Sequence, residues 1–226
     1  MRTRASKPDR LDAFSKVSQL LYRGASLLPF APSIGRYNIT VCRERKFIWF
    51  RVAKAGTRTI LGHLRRSGVR LDAEHASYVH YPVNLYAAYF KFAFVRNPWD
   101  RLVSCWHNKV VDSDYFNFGE PQRREMQHFP NFVDFVSGLN IEACDRHLRL
   151  QCRLIDLSNL DFLGRLETFD ADFAEICRAV GLSAANVAQE NASAGRRPYQ
   201  QSYDDRLRDK VFHIYEKDIR IFRYAF

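Results

Sequence analysis

The segment KFIWFRVAKAGTRTI, residues 46–60, decides the fold of this chain. Its first half is a dense apolar run, which predicts a strand over residues 46–52 that is buried on both faces. Apolar residues at helical spacing then predict a helix over residues 57–66. The polar residues between strand and helix lie where backbone N–H groups and the positive end of the helix converge. The sequence therefore predicts an anion-binding junction.

A second segment, KFAFVRNPWDRLVSCW at residues 91–106, repeats this pattern of a buried strand followed by a helix. Residues 91–95 form the predicted strand. Asn97 is a suitable helix N-cap, and Pro98 suits the first helical position. Because one junction carries a lysine and the other an arginine, the sequence predicts a ligand with two anionic groups.

The helix of the second segment has two different faces on a helical wheel over residues 98–110. Its apolar side chains face the predicted core, whereas Arg101, Ser104 and Asn108 lie on the opposite side. Arg96 ends the preceding strand, and Arg96 and Ser104 could converge on one phosphate group. A solvated helix face is the alternative explanation for Arg101 and Ser104. It does not suit Arg96, because an unpaired guanidinium is costly at the end of a buried strand.

The first junction has the residue types that a phosphate site needs. Gly56 allows a phosphate to approach the backbone, Thr57 and Thr59 offer hydroxyl groups, and Lys54 supplies a mobile positive charge. The Walker A pattern GxxxxGK[ST] is absent, because here the lysine precedes the glycine. Its absence argues against an ordinary magnesium-dependent nucleoside triphosphatase. The alternative is a plain strand-to-helix turn with a solvated lysine.

The remaining sequence continues the alternation of strands and helices. It predicts a helix at residues 131–138, a strand at 161–166 with a helix after it, and a long helix near the C-terminus. This alternation predicts an α/β fold whose parallel sheet binds ligands beyond the carboxyl ends of its strands. Residues 1–40 are predicted to be an N-terminal extension, and residues 41–226 a single domain.

Composition narrows the classes of partner and compartment. The net charge of +10 favours an anionic partner, such as a nucleotide, a sulfated or phosphorylated sugar, a nucleic acid or an acidic membrane. The cysteines are odd in number and form no CxxC pair, so a cytoplasmic protein with reduced thiols is expected. A Cys144–Cys152 bridge in a secretory lumen is the alternative. No transmembrane segment is expected, because Arg23, Pro29 and Pro32 interrupt the apolar N-terminal stretch.

The two junctions together resemble sulfotransferases that use 3′-phosphoadenosine 5′-phosphosulfate (PAPS). KAGTRT resembles their 5′-phosphosulfate loop, and FAFVRNPWDRLVS resembles their 3′-phosphate element. The similarity is greatest to family 2, the carbohydrate sulfotransferase group, especially its bacterial members, and covers roughly residues 45–226. It implies a three-layer α/β domain related to P-loop kinases, with a central parallel sheet flanked by helices. It further implies sulfuryl transfer from PAPS to a hydroxyl of a glycan or another small acceptor, without a metal. A membrane association is suggested by the family alone.

The resemblance also implies which residues bind the donor. The 5′-phosphosulfate would be held by Lys54, Ala55, Gly56, Thr57, Arg58 and Thr59. The 3′-phosphate would be held by Arg96 and Ser104, and Lys54 would also stabilise charge during catalysis. Arg197, together with Arg196 and Tyr199, would pack near the nucleotide; a basic loop before the last helix is the alternative.

His75 is the predicted catalytic base, since an imidazole accepts a proton near neutral pH. It lies between the two phosphate motifs in EHAS, which resembles a KHAT-like segment of bacterial relatives. Glu74 and His80 are the alternatives. His147 and Gln151 also match a family-like segment and are interpreted either as residues on the substrate side or as polar residues of the core.

Two other functions stay open at the level of sequence. A kinase-like phosphotransferase would need a Walker A lysine and groups that hold magnesium, and the sequence shows neither. A polyanion-binding module without catalysis is compatible with the charge, but the basic residues are spread along the chain, so no nucleic-acid partner is expected. Residues 112–151, rich in charge and aromatic rings, are expected to help shape the acceptor site.

Overall fold

A five-stranded mixed sheet forms the centre of the computed structural model, which describes residues 32–184 and 198–226. The strands are β1 (Tyr37–Cys42), β2 (Phe47–Phe50), β3 (Ala73–Val79), β4 (Phe90–Val95) and β5 (Phe162–Arg165). Their order across the sheet is β3-β1-β2-β4-β5. Strands β2, β4 and β5 pair in parallel, whereas β1 is antiparallel to both of its neighbours.

Helices flank this sheet, and the predicted α/β fold class is confirmed. They are α1 (Thr57–Arg66), α2 (Pro98–Trp106), α3 (Glu120–Met126), α4 (Phe129–Ser137), α5 (Phe169–Ala179) and α6 (Asp205–Phe222). The predicted limits of α1 are reproduced, and α2 begins at the predicted proline. Helix α2 continues into one turn of π-helix at His107–Val111. Among the described residues, no helix combines the length and the apolar character that crossing a bilayer requires.

The central strands are apolar on both faces because each has a neighbour on either side and helices above and below. Every residue of β2 is buried, and so are the last five residues of β4. Strand β5 approaches β4 so closely that a Cβ atom on Gly164 would lie 2.5 Å from Cε1 of Phe94. Glycine is therefore required at this position to let the ring of Phe94 pack over the neighbouring strand.

Two strands, β1 and β3, were not predicted. Strand β1 begins at Tyr37, ahead of the boundary placed at residue 41. Strand β3 carries the EHAS segment, so His75 lies on an outer strand and not in a loop. Within the described part of the chain, β3 pairs with β1 alone and through an irregular register, and its sequence AEHASYV does not alternate regularly.

The core has two parts. One joins the sheet to α1 and α5. The other lies mainly between α2, α4 and α6. Helix α6 is tied to the chain before β5 by Asp218, whose carboxylate accepts the backbone N–H groups of Gln151 (2.6 Å) and Cys152 (2.9 Å). Cys144 and Cys152, the predicted alternative bridge, are both free thiols.

Candidate active site

The two predicted anion-binding junctions lie side by side. Strands β2 and β4 are adjacent and parallel, so the loops that follow them leave the same edge of the sheet. Nη1 of Arg96 donates to the backbone oxygen of Lys54 at 3.2 Å. Nε of Arg101 donates to the backbone oxygen of Ala53 at 3.1 Å. The second junction therefore holds the first in place through its backbone.

The loop after β2 is a tight turn that ends at the N-terminus of α1. Lys54 and Gly56 both have left-handed backbone conformations, with φ of 71° and 82°. The hydroxyl of Thr57 donates back to the oxygen of Val52 at 3.3 Å, which closes the turn. Among the described residues, no side chain caps α1, and its first turn contains no acidic residue. This helix end is therefore electrostatically suited to an anion.

Lys54 is a partly desolvated cation in a positive environment. Its ammonium group donates to Oδ1 of Asn108 at 3.1 Å. Burial, together with the neighbouring charges of Arg58, Arg96 and Lys109, lowers the pKa of Lys54 to about 8. An anionic ligand placed among these four cations would offset both effects.

Arg96 is buried at the carboxyl end of β4, as predicted, but it is not unpaired. Its guanidinium makes a bidentate pair with Asp100, with Nε–Oδ2 at 2.8 Å and Nη2–Oδ1 at 2.7 Å. Ser104 lies two turns further along α2 and is also buried. The convergence of Arg96 and Ser104 on one phosphate stays a prediction.

Arg101 lies on the polar side of α2, but the alternative explanation of a solvated helix face is wrong for this residue. Only 2% of this residue is exposed. Besides Ala53, its guanidinium donates to the backbone oxygens of Arg149 and Arg146, each at 3.0 Å. A helical wheel describes one helix in isolation, whereas here the phosphate loop and the segment before β5 cover the polar face of α2. Three carbonyl groups replace the water that the guanidinium loses.

His75 lies at the centre of a chain of polar contacts. Its Nδ1 is 2.6 Å from Nη1 of Arg51. Because a guanidinium can only donate, Nδ1 is the acceptor and Nε2 carries the proton. Nε2 then donates to Oε1 of Glu74 at 3.0 Å, and Glu74 pairs with Arg65 at 2.5 Å. The hydrogen bond from His75, together with Arg65, lowers the pKa of Glu74.

Arg51 was not singled out in the sequence. It follows β2 directly and lies three residues before Lys54. Its Nη2 donates to the backbone oxygen of Ala76 at 3.1 Å. The only signal in the sequence was a basic residue at the end of an apolar strand, and its partner His75 is too far along the chain to be inferred. His80, an alternative base, uses Nδ1 on the backbone oxygen of Ser33 at 2.8 Å.

Gln151 is a polar residue of the core, which is one of the two interpretations that the sequence left open; it does not lie on the substrate side. It is fully buried, and its amide group bonds both backbone groups of Arg96: Oε1 accepts from the nitrogen at 3.0 Å, and Nε2 donates to the oxygen at 2.8 Å. His147 is also buried and donates from Nδ1 to Oδ1 of Asp145 at 2.8 Å. Burial lowers the pKa of His147, although the hydrogen bond to Asp145 acts in the opposite direction.

A cleft of about 450 Å³ opens beside these residues. It is lined by Tyr78, Tyr115, Ala143, Cys144, Asp145, Arg146 and Arg149. The guanidinium of Arg149 stacks over the ring of Tyr78 with 4.8 Å to the ring centre. Tyr78 also has a left-handed backbone, with φ of 55°, and is 44% exposed. Left-handed backbone at a large residue is strained, and strained residues cluster at binding sites.

Of the three residues predicted to pack near the nucleotide, Tyr199 lies in the described part of the chain. Arg196 and Arg197 lie outside the described residues, so the nucleotide contact expected of Arg197 stays a prediction. The hydroxyl of Tyr199 accepts a hydrogen bond from the side-chain amide of Asn97 at 3.2 Å. Asn97 follows Arg96 directly, so Tyr199 lies near the start of α2. Among the described residues, no group of three or more His, Cys, Asp or Glu side chains is arranged to hold a metal ion.

Comparison with known proteins gives two similarities. A family model described as "Sulfotransferase family" matches residues 37–225. The chain is also similar to carbohydrate sulfotransferase 12 of Mus musculus, with 24% identity over 168 residues, which cover 60% of this chain and 40% of that protein. The match thus spans less than half of the relative's length. No solved structure is significantly similar to this one.

Proposed function

The chain belongs to the sulfotransferase family, and we propose that it transfers a sulfuryl group from PAPS to a hydroxyl group of a carbohydrate. The observation that carries this proposal is the meeting of two phosphate-type junctions at one edge of the sheet. Arg96 of the second junction contacts the backbone of Lys54 in the first. One ligand with anionic groups at its two ends can therefore bridge them.

The residues at this edge fit the donor. The uncapped end of α1 and the ammonium group of Lys54 suit a 5′-phosphosulfate, and Gly56 lets it approach the backbone. Arg96 lies directly after β4 and shares part of its planar fork with Asp100, and its remaining N–H groups suit a 3′-phosphate. Ser104 of α2 is a further hydroxyl donor. When bound, PAPS supplies a sulfuryl group attached to a phosphate oxygen. That oxygen takes up negative charge as its bond to sulfur breaks.

The side chains divide the remaining work. Lys54 and the N–H groups of α1 stabilise negative charge at the leaving oxygen, in a site where burial has already removed competing water. His75 takes the proton of the acceptor hydroxyl at Nδ1. Glu74, already paired with Arg65, holds Nε2–H and so fixes which nitrogen is basic.

The carbohydrate is proposed from the cleft and from the name of the mouse relative. Tyr78 and Tyr115 line the cleft together with the guanidinium groups of Arg146 and Arg149, so the cleft is mainly polar. Aromatic rings with a few polar groups are typical of sites that bind small polar ligands. Carbohydrate sulfotransferase 12 is similar to this chain over 168 residues.

Calorimetry with 3′,5′-bisphosphoadenosine, the desulfated product of the donor, tests the first half of the proposal. Binding to the wild-type chain and its loss in Lys54→Ala are expected. A labelled-sulfate screen over glycans with PAPS then tests turnover. Metal-dependent hydrolysis of ATP would indicate a kinase-like enzyme instead. Salt-sensitive binding of oligonucleotides without affinity for the bisphosphate would indicate a polyanion-binding module.

A further inference from the structure

Arg51 is a buried cation whose charge is not neutralised by contact. It is 9% exposed. Among the described residues, its side chain bonds only His75 Nδ1 and the oxygen of Ala76, and its Nε is buried without a partner. A buried guanidinium with an unpaired N–H is costly unless a further group completes it. The site is therefore incomplete as it stands.

The same contact blocks the proposed base. Nε2 of His75 carries the ring's proton and donates a hydrogen bond to Glu74. Nδ1 therefore has the only basic lone pair of the ring, and an N–H of Arg51 occupies it. In this arrangement His75 cannot accept a proton from an acceptor hydroxyl. Catalysis by His75 therefore requires Arg51 to release Nδ1.

The surroundings of Arg51 favour an oxyanion. Burial and the like charge of Arg146 together lower the pKa of Arg51 to about 9, although the carboxylate of Glu74 acts in the opposite direction. Arg146 also lines the cleft, and Arg51 bonds the backbone oxygen of Ala76, two residues before the cleft residue Tyr78. The two cations are close enough to repel each other. A carboxylate or sulfate between them would accept the unpaired N–H and offset the repulsion.

We propose that an oxyanion entering from the cleft draws the Arg51 guanidinium away from His75 and thereby frees Nδ1 to act as the base. This inference rests on the proposed function. Once Nδ1 is free, it takes the proton of the acceptor hydroxyl. That hydroxyl oxygen bonds to sulfur, and the phosphate oxygen leaves with the electron pair of the broken S–O bond. Arg51 is in this sense a positioning residue, which prevents His75 from acting before the site is filled.

The oxyanion has two sources, an acidic group of the acceptor or the phosphosulfate of the donor. NMR of the His75 ring nitrogens separates them and needs no knowledge of the natural acceptor. The probes are glucuronate, glucose, inorganic sulfate and 3′,5′-bisphosphoadenosine, each added to the full chain. His75→Gln assigns the signals by their loss.

In the free wild-type chain we expect Nε2 protonated and Nδ1 unprotonated but hydrogen-bonded. Arg51→Met should move the Nδ1 signal to the position of a free nitrogen and lower the affinity for glucuronate about tenfold. Arg206→Met, which removes an exposed guanidinium from α6, should change neither. If Arg51→Met does not fold, Arg51→Lys serves, because one ammonium group replaces a fork that donates to both His75 and Ala76.

Glucuronate and sulfate should shift Nδ1 of the wild-type chain toward its position in Arg51→Met, and glucose should not. A shift caused by the bisphosphate alone would place the trigger on the donor side. A protonated Nδ1 in the free chain, or an Nδ1 that no oxyanion moves while calorimetry shows nucleotide binding, overturns the inference and leaves the proposed function standing. Failure to bind the nucleotide at all counts against the proposed function.

Discussion

Replacing Arg101 with methionine should destabilise the chain strongly, although the bonds that are lost are to backbone oxygens and not to a carboxylate. The side chain is almost fully buried and donates to three backbone oxygens, those of Ala53, Arg146 and Arg149. An unsatisfied buried carbonyl costs about 1–3 kcal/mol. Methionine also removes the desolvation cost of the cation, which offsets part of the loss. We therefore expect the free energy of unfolding to fall by about 3–5 kcal/mol.

The three bonds also join two functional segments, and this gives a second expectation. Ala53 precedes Lys54 in the phosphate loop, whereas Arg146 and Arg149 line the cleft. Without Arg101 the loop loses its anchor on α2, and the affinity for 3′,5′-bisphosphoadenosine should fall about tenfold, which corresponds to about 1.4 kcal/mol. Arg101→Lys keeps the charge but cannot reach three acceptors, so its loss of binding free energy should be about half as large.

Urea denaturation measures the first effect, provided that the m-value stays constant among the variants. Arg206→Met is the matched control, because it removes an exposed guanidinium and should change stability by less than about 0.5 kcal/mol. If Arg101→Met unfolds within about 1 kcal/mol of the wild type, then the buried guanidinium does not hold these segments together. Loss of nucleotide affinity without loss of stability would also contradict the reasoning.

Four further predictions follow from individual contacts. Because the pKa of Lys54 is lowered to about 8, its charge is lost as the pH rises through that value; bisphosphate affinity should fall about tenfold between pH 7 and pH 9 by calorimetry, and an unchanged affinity would mean that Lys54 does not meet the ligand's charge. Arg96→Ala should weaken binding of the bisphosphate by about 1.5–3 kcal/mol and leave turnover at saturating donor unchanged. A normal dissociation constant would show that Arg96 does not bind the 3′-phosphate. His75→Ala should lower turnover about 10²–10⁴-fold with nearly unchanged nucleotide affinity, and wild-type turnover would exclude it as the base. Gly164→Ala should cost about 1–3 kcal/mol in urea denaturation, since its Cβ would meet Phe94 at 2.5 Å; a stable variant would show that β5 can move.

The junctions could be predicted because each is local in sequence. An apolar run of strand length, a polar break and a helix start lie within about fifteen residues, and the N-cap Asn97 accepts from the nitrogen of Trp99 as its residue type predicts. Parallel strands then bring two such junctions together wherever they neighbour each other in the sheet. The alternation of strands and helices was enough to predict both junctions at the carboxyl ends of the strands, whereas the contact between Lys54 and Arg96 depends on the pairing of β2 with β4.

The base and its partners could not be predicted in the same way. His75 contacts Arg51 across the sheet only because β3 pairs with β1, and this pairing depends on an irregular register that the sequence AEHASYV does not encode locally. The buried state of Arg101 likewise depends on segments far along the chain. Polar residues on a helix predict a solvated face unless something covers it, and a helical wheel contains no information about that cover.

Three cations of the site keep their positive charge because their hydrogen-bond partners are neutral, whereas Arg96 pairs with Asp100. Arg101 bonds three carbonyl oxygens, and Arg51 bonds a carbonyl oxygen and an imidazole. Such acceptors fulfil hydrogen bonds but carry no net charge, so the charges of both guanidinium groups remain in a region of low dielectric. Carboxylates in these places would make the free chain more stable but would cancel the field that attracts an anion. Lys54, which bonds the amide of Asn108, follows the same rule. The site thus gives up stability in the free state, and an anionic ligand restores it on binding.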